Sequence, residues 1–242
     1  MRPFIICHMG TSIDGRLHPS RFTAAPSGVS ADVLQGHYEE VAGRFQADGW
    51  IVGRKTMAEM AKGRERTIAG APKVPREPHV ADRRGRTLAI AIDGSGRVHY
   101  GKDNVGGGHV VAVLGEEVSD AYLAELREDG VSYIFAGPMG DDLTAAMTQL
   151  AEVFGVKTLL LEGGGALNGS FLKAHLIDEF STLIHPGVDG LAGVQSIVDY
   201  QGVEGERPGE GQALRLIACE TLEGGMVWLR HAVEAEPRTT AS

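Results

Sequence analysis

The sequence predicts an α/β fold: a mostly parallel central sheet with helices on both faces, and antiparallel strands added late in the chain. Three observations predict it. Short runs of Val, Ile and Leu alternate with amphipathic stretches of helix length, the pattern of parallel strands joined by right-handed crossovers. Most strand-like runs are apolar at nearly every position, as strands covered on both faces are. In the last quarter, strand-like runs follow one another without helices, and Gly224-Gly225 stands where a tight hairpin turn belongs.

In chain order, Phe4-Ile5-Ile6-Cys7 reads as the first buried strand and Trp50-Ile51-Val52 as the second. Strands at residues 88–92, 110–114 and 131–135 follow, and Thr158-Leu159-Leu160-Leu161 is the most apolar. Between them, 120–128 places Tyr122, Leu123 and Leu126 on one helical face. Residues 143–154 do the same with Leu143, Ala146, Met147 and Leu150, and a helical pattern also surrounds His37. Residues 180–184, 214–221 and 226–233 read as the late strands. Residues 62–86, with their prolines and arginines, read as a long surface loop, and the acidic, Gly-rich 201–211 as another. The tail from Glu234 is expected to fray. No repeat or linker divides the chain, so one domain is expected over residues 1–242, with its core at about 4–233.

Composition narrows the function. Of 242 residues, 43% are hydrophobic and 23% charged, which fits a globular chain. A net charge of −9 argues against nucleic acid as a partner, because phosphate neutralisation needs clustered cations. Cys7 and Cys219 cannot make a disulfide scaffold or a cysteine zinc site. The apolar run near the start is too short for a signal peptide or membrane span, so a cytoplasmic protein without a membrane partner is expected. His37-Tyr38-Glu39 matches the His-x-Glu half of a zinc deaminase signature, but no Cys-x-x-Cys follows, and no metal site is expected.

Three segments carry chemistry. In Thr158-Leu-Leu-Leu-Glu162-Gly163-Gly164-Gly165-Ala166-Leu167-Asn168, a buried strand meets three glycines and then a helix start. Free N–H groups there, with the helix dipole, favour a phosphate or pyrophosphate, although a ligand-free turn has the same look. In Trp50-Ile51-Val52-Gly53-Arg54-Lys55-Thr56, a second strand–glycine–helix corner adds two cations and a hydroxyl, suited to the 2′-phosphate of NADP. The alternative is solvated surface charge with Thr56 as an N-cap. Two such corners, expected at the sheet's carboxyl edge, favour a dinucleotide over either site alone. In the third segment, running from His8 to Arg16, Asp14 either fastens an Asp-Gly turn or stands with His8 and Thr11 on the substrate side of a cleft.

The succession TSIDGR, then GWIVGRKT after Asp48, LLLEGGGALNGSFL, IDEF with HPGVDG, and EGGMVWLRHAV resembles one family over about residues 4–233. It is the reductase domain of the bifunctional riboflavin-biosynthesis deaminase-reductase, with its stand-alone relatives. The resemblance implies a dihydrofolate reductase-like three-layer αβα sandwich, NADPH as cofactor, and a homodimer. It puts Gly10 against the cofactor, with Thr11 in the same candidate set, and Thr56 on its phosphates. Gly53, Arg54 and Lys55 belong to the same corner, and Gly94 sits near a further cofactor contact. Gly164 to Ser170 (Gly165, Ala166, Leu167 and Asn168 among them) would wrap pyrophosphate and ribose, with Gly163 in the same candidate set. Glu162 would hydrogen-bond the substrate, and Arg44, four residues before Asp48, would hold the substrate's phosphate. The chain departs from the family pattern at His8, where lysine is usual, and at Met60, where aspartate is usual.

The reading is an NADPH-dependent reductase of a phosphoribosylaminopyrimidine, converting ribosyl to ribityl, with a small molecule as its substrate. Glu162 and Asp14 are the candidate catalytic residues, and His8, Arg44 and Glu162 the candidate substrate contacts. Asp14 or His8 would relay the proton that accompanies hydride. Two alternatives stay open: the same fold and cofactor acting on a pterin-like, imine or carbonyl compound, and a nucleotide-binding module without turnover.

Overall fold

A computed structural model describes residues 1–66, 68, 70 and 73–235. In chain order the main elements are β1 (Phe4–Thr11), α1 (Ala31–Arg44), β2 (Gly49–Gly53), α2 (Arg54–Ala61), β3 (Leu88–Ile92), β4 (Asn104–Val105) and β5 (Gly108–Leu114). Then come α3 (Asp120–Glu128), β6 (Ser132–Phe135), α4 (Leu143–Phe154), β7 (Thr158–Leu161), α5 (Gly165–Lys173), β8 (Glu179–Ile184), β9 (Gln212–Thr221) and β10 (Val227–Ala235). The chain forms two compact units, one of Met1–Pro3 with Ala47–Leu159 and the other of Phe4–Gln46 with residues from Leu160 onward.

In the first unit, β2, β3, β5 and β6 run parallel in that order, with Ile51, Ile90, Val111 and Ser132 side by side across them. The short β4 pairs antiparallel with the start of β5. One face of these strands (Ala89, Ala91, Val110, Ala112, Tyr133, Phe135) packs on Met57 and Ala61 of α2 and on Leu123 and Leu126 of α3. The alternate residues Ile90, Val111, Val113 and Ile134 are fully buried as well. Burial on both faces explains why these strands read as unbroken apolar runs. At the carboxyl ends, the turns after β3 and β5 are tied by the bond from Gly115 N–H to Gly94 O, 2.9 Å.

In the second unit, β1 lies parallel to β8 with Gly10 beside Leu183. β10 pairs antiparallel with β8 and β9, and its pairing with β9 is offset by a bulge between Arg230 and His231. The expected hairpin turn is a 3₁₀ turn at Glu223–Gly225, where Gly224 has φ +78°. Ser30 caps α1 by accepting from Asp32 N–H, and Leu34 and Val41 press its apolar side onto Leu183, Leu222, Met226 and Trp228.

Three expectations change. β1 extends past the expected Phe4–Cys7 run to Thr11, because β8 pairs beside it as far as Ile184. Glu234 and Ala235 are not frayed: they pair with Ala213 and Gln212. In the 62–86 loop, Val74 is buried and His79 bridges to Tyr133; Pro72 and residues 236–242 lie outside the described residues.

Candidate active site

In the second unit, three candidate residues gather about Tyr38 of α1. Its hydroxyl donates to His8 O at 3.0 Å, while His8 Nε2 is 3.2 Å from Tyr38 O. A ring nitrogen facing a carbonyl must donate, so Nε2 carries the hydrogen and Nδ1 is the acceptor. Ser181 Oγ, 3.0 Å from Nδ1, donates to it and accepts from Trp228 Nε1 at 2.9 Å. Burial pushes the His8 pKa down to about 4, so the ring is neutral. Both nitrogens are engaged, which leaves none for a substrate or a relayed proton.

Glu162 follows β7 directly. Burial, and then the nearby charge of Glu39, push its pKa up to about 7, while its hydrogen bond with Tyr38 pulls the other way. The Tyr38 hydroxyl, which donates to His8 O, also lies within hydrogen-bond reach of the Glu162 carboxylate, the form that this contact favours. A group poised this way can hydrogen-bond a substrate or give up a proton near neutrality. Gly10 completes the cluster: a Cβ there would stand 3.6 Å from the Tyr38 ring and 3.8 Å from His185 Nε2.

The other second-unit candidates are held elsewhere. Thr11 is buried, and its hydroxyl is 3.2 Å from both Ser12 O and Arg16 O. Asp14 accepts from Ser12 Oγ (2.6 Å), Gly190 N–H (2.8 Å) and Asp189 N–H (3.1 Å), which hold its pKa down to about 2. It is ionised at neutral pH with no proton to give, and its geometry is that of the turn-fastening alternative. Arg44 pairs with Glu40 (2.8 Å) and Glu220 (3.1 Å) and lies over the Trp228 ring, 5.1 Å from its centroid.

α5 opens at Gly165 behind Gly164, and no side chain caps it, so its first N–H groups are open to an anion. Gly163 has φ +90°, the left-handed region that glycine favours. The remaining glycines serve packing: a Cβ on Gly165 would run into Ser196 O, and one on Gly169 would run into Tyr200. Ala166 and Leu167 are half-buried in the first turn, and Asn168 is fully buried. Asn168 Nδ2 donates to Ile197 O at 2.7 Å, while its Oδ1 has no partner.

In the first unit, Gly53 is the N-cap of α2 and makes no side-chain cap, so Thr56 is the third helical residue and not the cap. Lys55 is exposed, and Arg54 Nη1 donates to Ser95 Oγ at 3.0 Å. Behind them lies Asp93, buried, its Oδ2 accepting from Arg97 N–H (2.7 Å) and Val98 N–H (2.8 Å), its Oδ1 unpartnered. Burial raises its pKa. Two cations, a hydroxyl and an uncapped helix start are a donor set that fits a phosphate. Gly94 is explained by packing, since a Cβ there would meet Met139 O.

Tyr38, Ser95 and His185 were not among the sequence candidates. Ser95 directly follows a strand–Asp–Gly turn, and His185 follows a buried strand before Pro-Gly; in each case a polar residue at a strand's carboxyl end was the available signal. Tyr38 gave none beyond its place in a helical pattern.

The mixed α/β architecture is shared with a solved structure described as a pyrimidine reductase-like protein. That protein, from Corynebacterium diphtheriae, superposes with a TM-score of 0.65 at 17% identity, covering 97% of this chain and 93% of the other. The family model of the RibD C-terminal domain matches residues 3–228, and the chain belongs to that family, whose fold is dihydrofolate reductase-like. The 2,5-diamino-6-ribosylamino-4(3H)-pyrimidinone 5′-phosphate reductase of Methanothermobacter thermautotrophicus is 27% identical over 206 residues, 84% of this chain and 87% of that protein. The protein of the same name from Aquifex aeolicus is 24% identical over 220 residues, 83% of this chain and 84% of that one.

Proposed function

We propose that this protein is an NADPH-dependent reductase of a phosphoribosylaminopyrimidine, taking its ribosyl group to ribityl. The observation that carries the reading is the place of Glu162, a half-buried carboxyl at the end of β7 beside Tyr38, where burial pushes its pKa up to about 7. When bound, reduced nicotinamide supplies hydride to the carbon of the ring-opened C=N group, and the nitrogen takes a proton. Glu162 holds a proton at its carboxyl near neutral pH and anchors or protonates the substrate there. Neither Asp14, already ionised, nor His8, with both nitrogens occupied, has that capacity. In the first unit, Arg54, Lys55 and Thr56 with Ser95 are assigned to a 2′-phosphate; in the second, taken by itself, the start of α5 is assigned to a pyrophosphate. Purified protein should oxidise NADPH when the phosphoribosylaminopyrimidine is supplied and not without it. Glu162→Gln should reduce turnover at least about tenfold; unchanged turnover would remove the assigned role.

A second reading, with the same fold and coenzyme but a substrate lacking the phosphate, is favoured by one observation. Arg44 is already paired with Glu40 and Glu220. Comparing the phosphorylated and dephosphorylated pyrimidine decides between them: equal kcat/KM supports the second. We also assign homodimerisation to β9, which exposes Leu214, Leu216 and Ile217 and bonds to β10 along one edge. Light scattering tests this against a Leu216→Lys variant. Among the described residues, no helix is long and apolar enough to cross a membrane.

A further inference from the structure

His185 follows β8, its main-chain N–H held by Thr11 O at 2.7 Å. That bond fixes the backbone and so aims the side chain. Nε2 stands 3.8 Å from where a Cβ on Gly10 would be, and the ring meets Phe22 edge-on, with centroids 5.7 Å apart. The imidazole lines a cavity of about 210 Å³ with mostly apolar walls, among them Phe22, Ala25, Leu34 and Pro186; Gln35 is another polar side chain at its rim.

Among the described residues, neither ring nitrogen of His185 has a hydrogen-bond partner. In the same unit His8 and His37 have both nitrogens engaged, His37 with Glu40 and with Glu223 O. The half-buried ring thus keeps both nitrogens free to bond a molecule that enters the cavity it lines. Burial, and then the neighbouring His37, hold its pKa below the ordinary 6.5, so at neutral pH the ring offers one donor and one acceptor. Apolar walls, the Phe22 ring and the donor and acceptor of His185, with Thr23 and Gln35 also lining the cavity, suit a planar nitrogen heteroaromatic ring.

We propose that His185 is the residue through which this cavity recognises the heteroaromatic ring of the substrate, by a hydrogen bond from its side chain. The identity of the substrate rests on the reductase reading; the chemical class rests on the cavity. A contact made equally in the ground and transition states appears in KM and not in kcat.

The test uses the full chain with NADPH and the phosphoribosylaminopyrimidine. His185→Leu should raise KM for the pyrimidine about tenfold, the value of one hydrogen bond, leaving kcat and the KM for NADPH within about twofold. His185→Gln, which keeps a donor and an acceptor, should recover most of the loss. An unchanged KM, or a fall in kcat alone, overturns the proposal. If the wild type oxidises no NADPH with this substrate, the reductase reading fails, and calorimetry with 2,4-diaminopyrimidine still reads the cavity. Binding by the wild type that His185→Leu abolishes supports recognition by His185. No binding, or equal binding by both, overturns it.

Discussion

Tyr38 and His8 each bond to the other's main chain: the phenol donates to His8 O at 3.0 Å, and the imidazole donates to Tyr38 O at 3.2 Å. Their rings lie 4.4 Å apart at 38°. The reciprocal pair staples α1 to β1 and fixes the oxygen that faces Glu162. Tyr38→Phe keeps the ring and strands a buried carbonyl, so it should cost about 1 to 2 kcal/mol in urea unfolding. A loss below about 0.3 kcal/mol would mean that the staple carries no stability.

Glu162 and His8 give stability opposite slopes with pH. The native Glu162 keeps its proton up to about pH 7, while the unfolded carboxyl loses it near 4.5, so stability falls as pH rises between those values. The native His8 stays neutral down to about pH 4, while the unfolded ring takes a proton near 6.5, so stability falls as pH drops from 6.5 to 4. Glu162→Gln should therefore stabilise the protein above pH 7, on the order of 2 kcal/mol, with no gain below pH 4.5. It should also steepen the acid-side loss that the carboxyl had offset. Denaturant melts from pH 4 to 8 check this, and parallel curves for both proteins would contradict it.

Arg54 and Lys55 are the cations of the α2 corner, with Ser95 bonded to the first. Replacing both with Ala should weaken NADPH binding by about ten- to a hundredfold and NADH binding by far less, as titration calorimetry would show. Equal weakening of both coenzymes would rule out a 2′-phosphate role.

Gly164 and Gly165 separate binding from folding. Gly164 has φ −68° and room for a Cβ, 3.6 Å from Gln195 Oε1, whereas a Cβ on Gly165 would meet Ser196 O. Gly165→Ala should destabilise by about 2 kcal/mol or more, while Gly164→Ala stays within about 1 kcal/mol and weakens NADPH. Thermal melts with coenzyme titrations distinguish the two, and a stable Gly165→Ala would contradict the packing.

Much of the fold was legible because central strands such as Leu88–Ile92, Gly108–Leu114 and Thr158–Leu161 are apolar and α3 and α4 are amphipathic; the two-residue β4 left no such signal. The two compact units are not marked in the sequence, since the chain passes between them at Pro3–Phe4, at Gln46–Ala47 and, inside β7, between Leu159 and Leu160, with no linker at any of the three. In the candidate site, Glu162 was legible as an acid ending a buried strand. The Asp14 turn was one of two readings that the sequence left open; the bonds that decide it and the Arg44 ion pairs were not legible, because Asp189, Gly190 and Glu220 lie more than 170 residues away. The Gly165 and Gly169 packing was equally hidden, set by a segment about 30 residues on.

The chain's two tryptophans fall one to each unit: Trp50 on β2, and Trp228 on β10 beneath the guanidinium groups of Arg44 and Arg230. Replacing either with Phe leaves a single indole reporter. Emission from the Trp50-only and Trp228-only proteins would then follow the melting of each half separately, and coincident curves would mark a molecule that comes apart in a single cooperative event.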